Sequence, residues 1–184
     1  SRLLSGVHTQ QSASVLVEGG SIQNTHSDAY GGAVAAAGSS VVVWHDATAS
    51  DASAVQAGGL CWVDDSAQLS LVNVNASRLS SSVVGGGLAC SGKAAVHATS
   101  CTLRGAHAQT GGGCAVLQSC EFRMTDGAIT DSSAAAFGGA GALLSRTSIV
   151  ALRCVVPCVL SSVPVASVLS FRVFYFHCHC PSSF

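Results

Sequence analysis

Charged and aromatic side chains are scarce in this 184-residue chain, at 9% and 5% of the residues. An average soluble domain is about 25% charged, and here eight Lys and Arg against nine Asp and Glu leave a net charge of −1. Such a chain lacks the basic surface that nucleic acids and anionic membranes require. The shortage of large side chains also excludes an ordinary core of interdigitating Leu and Phe.

Small residues take the place of the missing types, since Ala, Ser, Gly and Val make up 100 of the 184 positions. The mean hydropathy of +0.48 argues against a disordered chain. No segment keeps a 3.6-residue apolar period long enough for a helix of about ten residues or more. The chain is therefore expected to fold, without long amphipathic helices and without an ordinary core.

Pairs of glycines recur along the chain, and 27, 27, 27 and 26 residues separate successive pairs. The pairs are Gly31 and Gly32, Gly58 and Gly59, Gly85 and Gly86, Gly112 and Gly113, and Gly138 and Gly139. The residues 16, 14 and 9 positions before each pair are apolar in all five units: Val15, Val42, Leu69, Val96 and Phe122; Val17, Trp44, Leu71, Ala98 and Met124; Ile22, Ala49, Ala76, Leu103 and Ile129.

Apolar positions two residues apart are typical of strands. Each unit predicts three short strands, which begin about 17 and 10 residues before the glycine pair and at the pair itself. Units repeated in register predict a parallel β-helix of about five coils, each of 26–27 residues, with small or medium residues inside. We expect a lead-in over residues 1–12, repeats over 13–148 and an apolar, Val- and Cys-rich tail over 149–184.

The glycine pairs are interpreted as tight corners, where glycine permits positive φ or a close approach of stacked backbones. A phosphate-binding loop would need a following helix and a lysine. The chain contains one lysine, Lys93, and no predicted helix.

The segments Gly-Gly-Ala-Val at 31–34, Gly-Gly-Leu at 58–60 and 86–88, and Gly-Gly-Ala at 138–140 resemble one half of the repeats of chlamydial polymorphic outer membrane proteins. The other half of that motif pairs a Phe with an Asn. Here its apolar position is kept and its Asn is not, although Asn24 lies one residue away. The resemblance implies a right-handed parallel β-helix (solenoid) and, by analogy, an adhesin-like role.

Carboxylates are the side chains through which β-helix enzymes act on polysaccharides. Asp46 and Asp126 share one position of the repeat, and Asp51 and Asp131 share another. Each pair is three coils apart, about 14 Å at the strand spacing, whereas glycosidic acid–base pairs lie about 5–9.5 Å apart. Solvated carboxylates are the default, and the candidates, if the chain is an enzyme, are Asp46, Asp51, Asp64 and Asp65. The histidines do not align with partners that predict a Ser-His-Asp arrangement.

The nine cysteines include no Cys-x-x-Cys pair, so the common zinc spacings are missing. We expect them to be buried as small apolar residues, with disulfides in an oxidising compartment as the alternative. The tract His177–Cys180 has no second cluster, so no metal or cofactor is predicted. Asn75 begins an Asn-Ala-Ser sequon, which matters on a eukaryotic secretory route.

The tail contains 18 uncharged residues, 154–171, between Arg153 and Arg172. This segment predicts either a membrane anchor or, from its many valines, a β-rich cap over the open end. The chain begins at Ser1 without a methionine, as a fragment or a processed product does.

The function we expect is that of a non-catalytic structural or surface-exposed β-helix segment, adhesin- or passenger-like. Its flat faces would contact carbohydrate or protein outside the cell or at the cell surface. The alternative is a fragment of a carbohydrate-active β-helix enzyme, a polysaccharide lyase or hydrolase.

Overall fold

A computed structural model of the chain describes residues 6–137, 139, 141–143 and 149–155. These residues form strands joined by tight corners and contain no helix. In chain order the strands are β1 (Val7–Thr9), β2 (Ser14–Glu18), β3 (Ser21–Ser27), β4 (Val34–Ala36), β5 (Val41–His45), β6 (Thr48–Ala54), β7 (Cys61–Val63), β8 (Gln68–Val72), β9 (Asn75–Ser81), β10 (Leu88–Cys90), β11 (Ala95–Thr99), β12 (Thr102–Thr110), β13 (Cys114–Val116), β14 (Glu121–Thr130), β15 (Ser133–Phe137), β16 (Gly141–Leu143) and β17 (Ile149–Val155).

The strands stack as three faces of a parallel coil. Face A is the six-stranded sheet β1-β4-β7-β10-β13-β16. Face B consists of β2, β5, β8, β11, the first half of β14, and β17, and face C of β3, β6, β9, β12, the second half of β14, and β15. Because β14 pairs with both β11 and β12, faces B and C form one 11-stranded sheet. The chain is thus a parallel β-solenoid of about five turns, which confirms the predicted all-β, parallel β-helix class.

The predicted apolar columns lie in register. Val42 is opposite Leu69, and Leu69 is opposite Val96, which in turn is opposite Phe122. These side chains are buried in one continuous core that runs along the solenoid. A period of two therefore positions the inward side chains of each strand, and the 27-residue repeat stacks them on their copies.

The shortened coil lies one coil earlier than the glycine pairs predict. Ser80 is opposite His107, a step of 27, whereas Val84 is opposite Thr110, a step of 26. Leu88 is consequently opposite Cys114, so Gly111 and not Gly112 is the counterpart of Gly85. The predicted alignment of Gly112 and Gly113 with Gly85 and Gly86 was wrong by one residue. Three glycines in a row occur in both coils, at 85–87 and 111–113, so the sequence alone does not show which two correspond.

The two glycines of a corner are required for different reasons. Gly58 has φ +66°, a left-handed conformation that costs a residue with a Cβ about 1–2 kcal/mol. A Cβ on Gly59 would overlap the carbonyl oxygens of Gly86 and Ser80. The backbones of neighbouring coils therefore approach too closely at Gly59 for any side chain.

The interior accepts two large aromatic residues, contrary to the expectation of small and medium side chains only. Trp44 is fully buried and Phe122 is 1% exposed. Trp44 fits because most other inward residues of its coil are alanines, so the coil still fills to normal density. These buried alanines are Ala33, Ala36, Ala47, Ala49 and Ala52.

Parallel pairing continues into the predicted tail, since β17 pairs with β14 as far as Val155. Residues 156–171 of the predicted membrane segment, and the His177–Cys180 tract, lie outside the described residues. Among the described residues, no helix is long and apolar enough to cross a membrane.

Candidate functional site

Three of the four candidate carboxylates occupy corners at which the backbone is left-handed. Asp46, Asp51 and Asp65 have φ of +50°, +56° and +60°. Their counterparts in other coils share this conformation, and most of them are Gly, Asn or Asp: Gly19, Asn73, Ser100 and Asp126; Asn24, Arg78, Gly105 and Asp131; Gln11, Gly38, Gly92 and Gln118. Asn and Asp are the side chains that best tolerate this region after glycine. The recurrence of acids in two of these columns therefore reflects the left-handed corner, which aspartate tolerates, and does not indicate a catalytic pair.

Each candidate carboxylate also has a partner within the coil stack. Asp46 Oδ1 accepts a hydrogen bond from Asn73 Nδ2 at 2.7 Å, one coil above. Asp65 Oδ2 accepts from the Gly38 backbone N–H at 3.2 Å, and Asp64 Oδ1 accepts from the Asp65 N–H at 2.8 Å. These contacts tie coils and corners together.

Asp51 is held by a two-point ion pair with Arg78, through Nε–Oδ1 at 2.6 Å and Nη2–Oδ2 at 2.7 Å. The hydrogen bond from Arg78 holds the pKa of Asp51 below its usual range, and Asp51 in turn raises the pKa of Arg78. A general acid needs a raised pKa to stay protonated near neutrality. Asp51 is therefore suited to a structural ion pair and not to proton donation.

Face C carries an open groove of about 340 Å³ between two corners, and most of its lining residues are polar. Two outward columns of β3, β6, β9 and β12 line it, with Ala49 and Ala76 between them. The columns are Ser21, Thr48, Asn75 and Thr102, and Gln23, Ser50, Ser77 and Arg104. Hydroxyl, amide and guanidinium groups thus follow one another along four coils, and the sequon residue Asn75 is one of them.

Arg104 is the charged residue of this groove. It donates an Nε hydrogen bond to Asp131 Oδ2 at 2.9 Å, on the coil above. Arg78, on the neighbouring corner column, faces the coil below and Asp51. Arg78 and Arg104 lie on adjacent coils, and each forms its ion pair with an aspartate on the coil that faces away from the other arginine. This arrangement limits the repulsion between the two guanidinium groups.

A serine, a histidine and an aspartate lie together where face C approaches the next corner. His26 Nδ1 is 2.9 Å from Ser53 Oγ, and His26 Nε2 is 3.4 Å from Asp28 Oδ1. A second pair, His107 Nδ1 and Ser133 Oγ, lies at 2.6 Å. Neither pair was predicted from the sequence, although the spacing was visible there: Ser53 follows His26 by one coil, and Ser133 follows His107 in the same way.

An aromatic pair lies outside the core, on face A. The rings of Tyr30 and Trp62 stack with centroids 4.9 Å apart. Trp62 packs over a small external apolar cluster of Ala57, Ala89 and Ala115. The pair therefore makes part of the outer surface at this corner aromatic, and Tyr30 is 41% exposed there.

The cysteines follow both interpretations from the sequence. Cys90 and Cys120 form a disulfide inside the coil, whereas Cys61 and Cys101 are buried thiols. Burial raises the pKa of both thiols, so neither is a reactive nucleophile. Among the described residues, no group of three or more His, Cys, Asp or Glu side chains could hold a metal ion.

Comparison with protein-family models, with curated proteins and with solved structures finds no match for this chain. None of these comparisons supports the resemblance to the chlamydial repeats. The residues themselves must support any function.

Proposed function

We propose that the chain is a non-catalytic, surface-exposed segment of β-helix, adhesin- or passenger-like, that contacts carbohydrate through face C. The observation that carries the proposal is the groove on that face. Its lining offers hydroxyl and amide groups that can both donate and accept hydrogen bonds, as saccharide hydroxyls require. The groove also runs along four coils, the shape that an extended chain needs.

An extracellular or cell-surface location is part of this proposal. The Cys90–Cys120 disulfide supports it, because disulfides persist mainly in oxidising compartments. Carboxylates committed to corners and to partners, as at Asp51 and Asp65, favour a binding function over a lyase or hydrolase based on acid pairs.

The test is binding of the purified chain to an array of neutral and acidic oligosaccharides. Ser77→Trp fills the groove on face C, and Ser70→Trp places the same side chain on face B as a matched control. We expect Ser77→Trp to abolish binding and Ser70→Trp to keep it. Binding that both variants retain would overturn the groove as the contact site.

A second candidate function, ester hydrolysis, is favoured by the Ser53–His26–Asp28 contacts. Asp28 beside Nε2 favours the tautomer with its proton on Nε2, which leaves Nδ1 as the base for Ser53. The hydroxyl proton would pass to His26 as Oγ bonds to the acyl carbon. The ester C–O bond would then break, the alcohol would leave with that proton, and water would release the acyl group from Ser53 in the same way.

A fluorophosphonate probe followed by peptide mass mapping tests this second function. An activated Ser53 becomes labelled in the wild type, and the label is lost in His26→Ala and weakened in Asp28→Asn. The dyad at Ser133 serves as the internal comparison. Equal labelling of Ser53 in the wild type and in His26→Ala would rule the activity out.

A further inference from the structure

We propose that the groove on face C is selective for an acidic oligosaccharide, whose carboxylate or sulfate group is bound by Arg104. The inference rests on the proposed carbohydrate function and specifies its ligand class. It is carried by a difference between two arginines on adjacent coils.

Arg78 has both carboxylate oxygens of Asp51 as partners, through two hydrogen bonds from Nε and Nη2. This is the two-point geometry that satisfies a guanidinium group best. Arg78 does not line the groove. Its charge is therefore committed to the corner.

Arg104 is committed less completely. Its hydrogen bond to Asp131 comes from Nε alone, and its Nη groups make no hydrogen bond with the described residues. The side chain is 70% exposed and lines the groove. Two N–H-bearing groups of a permanent cation are thus available to a ligand in the groove.

The lining residues of the groove carry one positive charge, that of Arg104, and its carboxylate partner Asp131 lies outside the lining. No aspartate or glutamate is among the lining residues in the described part of the chain, so Arg104 is the one formal charge of the groove. The remaining polar groups, such as Asn75, Ser77 and Thr102, suit hydroxyl groups. A polyhydroxylated ligand that carries an acidic group satisfies both kinds of partner, because each of its hydroxyl groups can both donate and accept, whereas each backbone group of an acidic peptide can only donate or only accept.

Asp131 competes with such a ligand for Arg104. Its corner has φ +52°, which asparagine tolerates well, so Asp131→Asn removes the competing charge without a conformational cost. The variant therefore makes the proposal testable by a gain of affinity and not only by a loss.

The experiment is calorimetric titration of the whole chain with a sulfated maltohexaose, an oligogalacturonate, a neutral maltohexaose and a polyglutamate peptide. We expect the acidic saccharides to bind, with affinity that falls as salt rises. Arg104→Gln should weaken them about tenfold, which corresponds to the loss of one charge-assisted contact. Arg78→Gln should change affinity less than about twofold, and Asp131→Asn should raise it several-fold. The stronger of the sulfated and the carboxylated ligand identifies the acidic group.

Binding of maltohexaose as tight as that of the acidic saccharides, with no effect of Arg104→Gln, would overturn the anion selectivity and leave the carbohydrate function standing. Tighter binding of polyglutamate than of either acidic saccharide would overturn the saccharide assignment. Absence of binding to all four ligands by a folded chain would overturn both. Circular dichroism of each variant establishes that the fold is kept.

Discussion

Cys90 and Cys120 join consecutive coils by a disulfide within the core, with their Cα atoms 6.1 Å apart. Cys90 ends a strand of face A, and Cys120 immediately precedes the face B strand of the next coil. Thr9 and Ser40 occupy the equivalent positions three coils earlier, and Thr9 donates a hydrogen bond to Ser40 there at 3.1 Å. Equivalent positions on consecutive coils are thus linked by a disulfide at Cys90 and Cys120, and by a buried hydrogen bond at Thr9 and Ser40.

Reduction of the Cys90–Cys120 disulfide is expected to destabilise the fold. The two residues are 30 positions apart, and the chain entropy of such a loop corresponds to roughly 3–4 kcal/mol of unfolding free energy. Urea unfolding with and without reductant measures this difference. The double variant Cys90→Ala with Cys120→Ala serves as the control and should not respond to reductant. A wild type whose midpoint does not shift on reduction would contradict the bond.

The disulfide also shows what the sequence could and could not predict. The inward columns were predicted in the correct register, for example Val42, Leu69 and Val96, because burial imposes a period of two on each strand and of 27 on the stack. The disulfide was not predicted, since its 30-residue separation is not a column spacing. It joins the end of one face to the beginning of another, and only the path of the corner brings these positions together.

The candidate site, too, could be predicted from the sequence only in part. The columns that contain Asp46 and Asp51 were visible in the sequence, but their cause, a left-handed corner, depends on backbone angles that apolar spacing does not report. The groove and the Ser53–His26 contact depend on outward side chains. Outward positions have no required polarity, so the 27-residue spacing alone does not distinguish a contact from coincidence.

Substitution of Gly59 by alanine is expected to be far more costly than substitution of Gly105. A Cβ on Gly59 meets fixed carbonyl oxygens of the next coil, and such overpacking should cost about 3 kcal/mol or more. At Gly105 the nearest atom to a Cβ is the Arg78 nitrogen at 3.8 Å, so only the positive φ opposes alanine, at about 1 kcal/mol. Chemical denaturation of the two variants checks the difference. Equal losses would show that neighbouring coils do not approach closely at Gly59.

Two buried threonines should respond in opposite directions to replacement by valine. Thr25 Oγ1 is buried without a hydrogen-bond partner among the described residues, so Thr25→Val removes an unsatisfied hydroxyl and should stabilise the fold by about 1 kcal/mol. Thr9→Val removes the hydrogen bond to Ser40 and should destabilise it by about 1 kcal/mol. Thermal unfolding of the two variants shows directly whether each Tm rises or falls relative to the wild type. Destabilisation by both variants would show that Thr25 Oγ1 does have a hydrogen-bond partner in the folded chain.

The Asp51–Arg78 ion pair predicts a pH dependence of stability. The pKa of Asp51 is lower in the folded chain than its usual value, so the stabilisation is complete above the ordinary aspartate pKa of about 3.9. It is lost as the pH falls through the lower pKa of the folded state. The difference in Tm between the wild type and Asp51→Asn should therefore be constant from neutral pH down to about pH 5 and shrink below about pH 4. A difference that grows on acidification would show that Asp51 is not stabilised as the anion.

The coils stack in parallel and in register, with steps of 26–27 residues. Val63 and Ala94 occupy the junction one coil before Cys90 and Cys120, and both are fully buried. Val63→Cys with Ala94→Cys should therefore form a second disulfide during oxidative folding. The control is Val63→Cys with Ala98→Cys. Position 98 lies in β11, four residues and about 13 Å beyond position 94, so its thiol should remain unlinked to that at position 63.

Non-reducing peptide mass mapping of the two variants gives the answer. We expect a peptide pair linked through positions 63 and 94, together with the native Cys90–Cys120 pair. Free thiols at both 63 and 94, or linkage of 63 to 98 instead, would contradict the stacking on which every other inference depends.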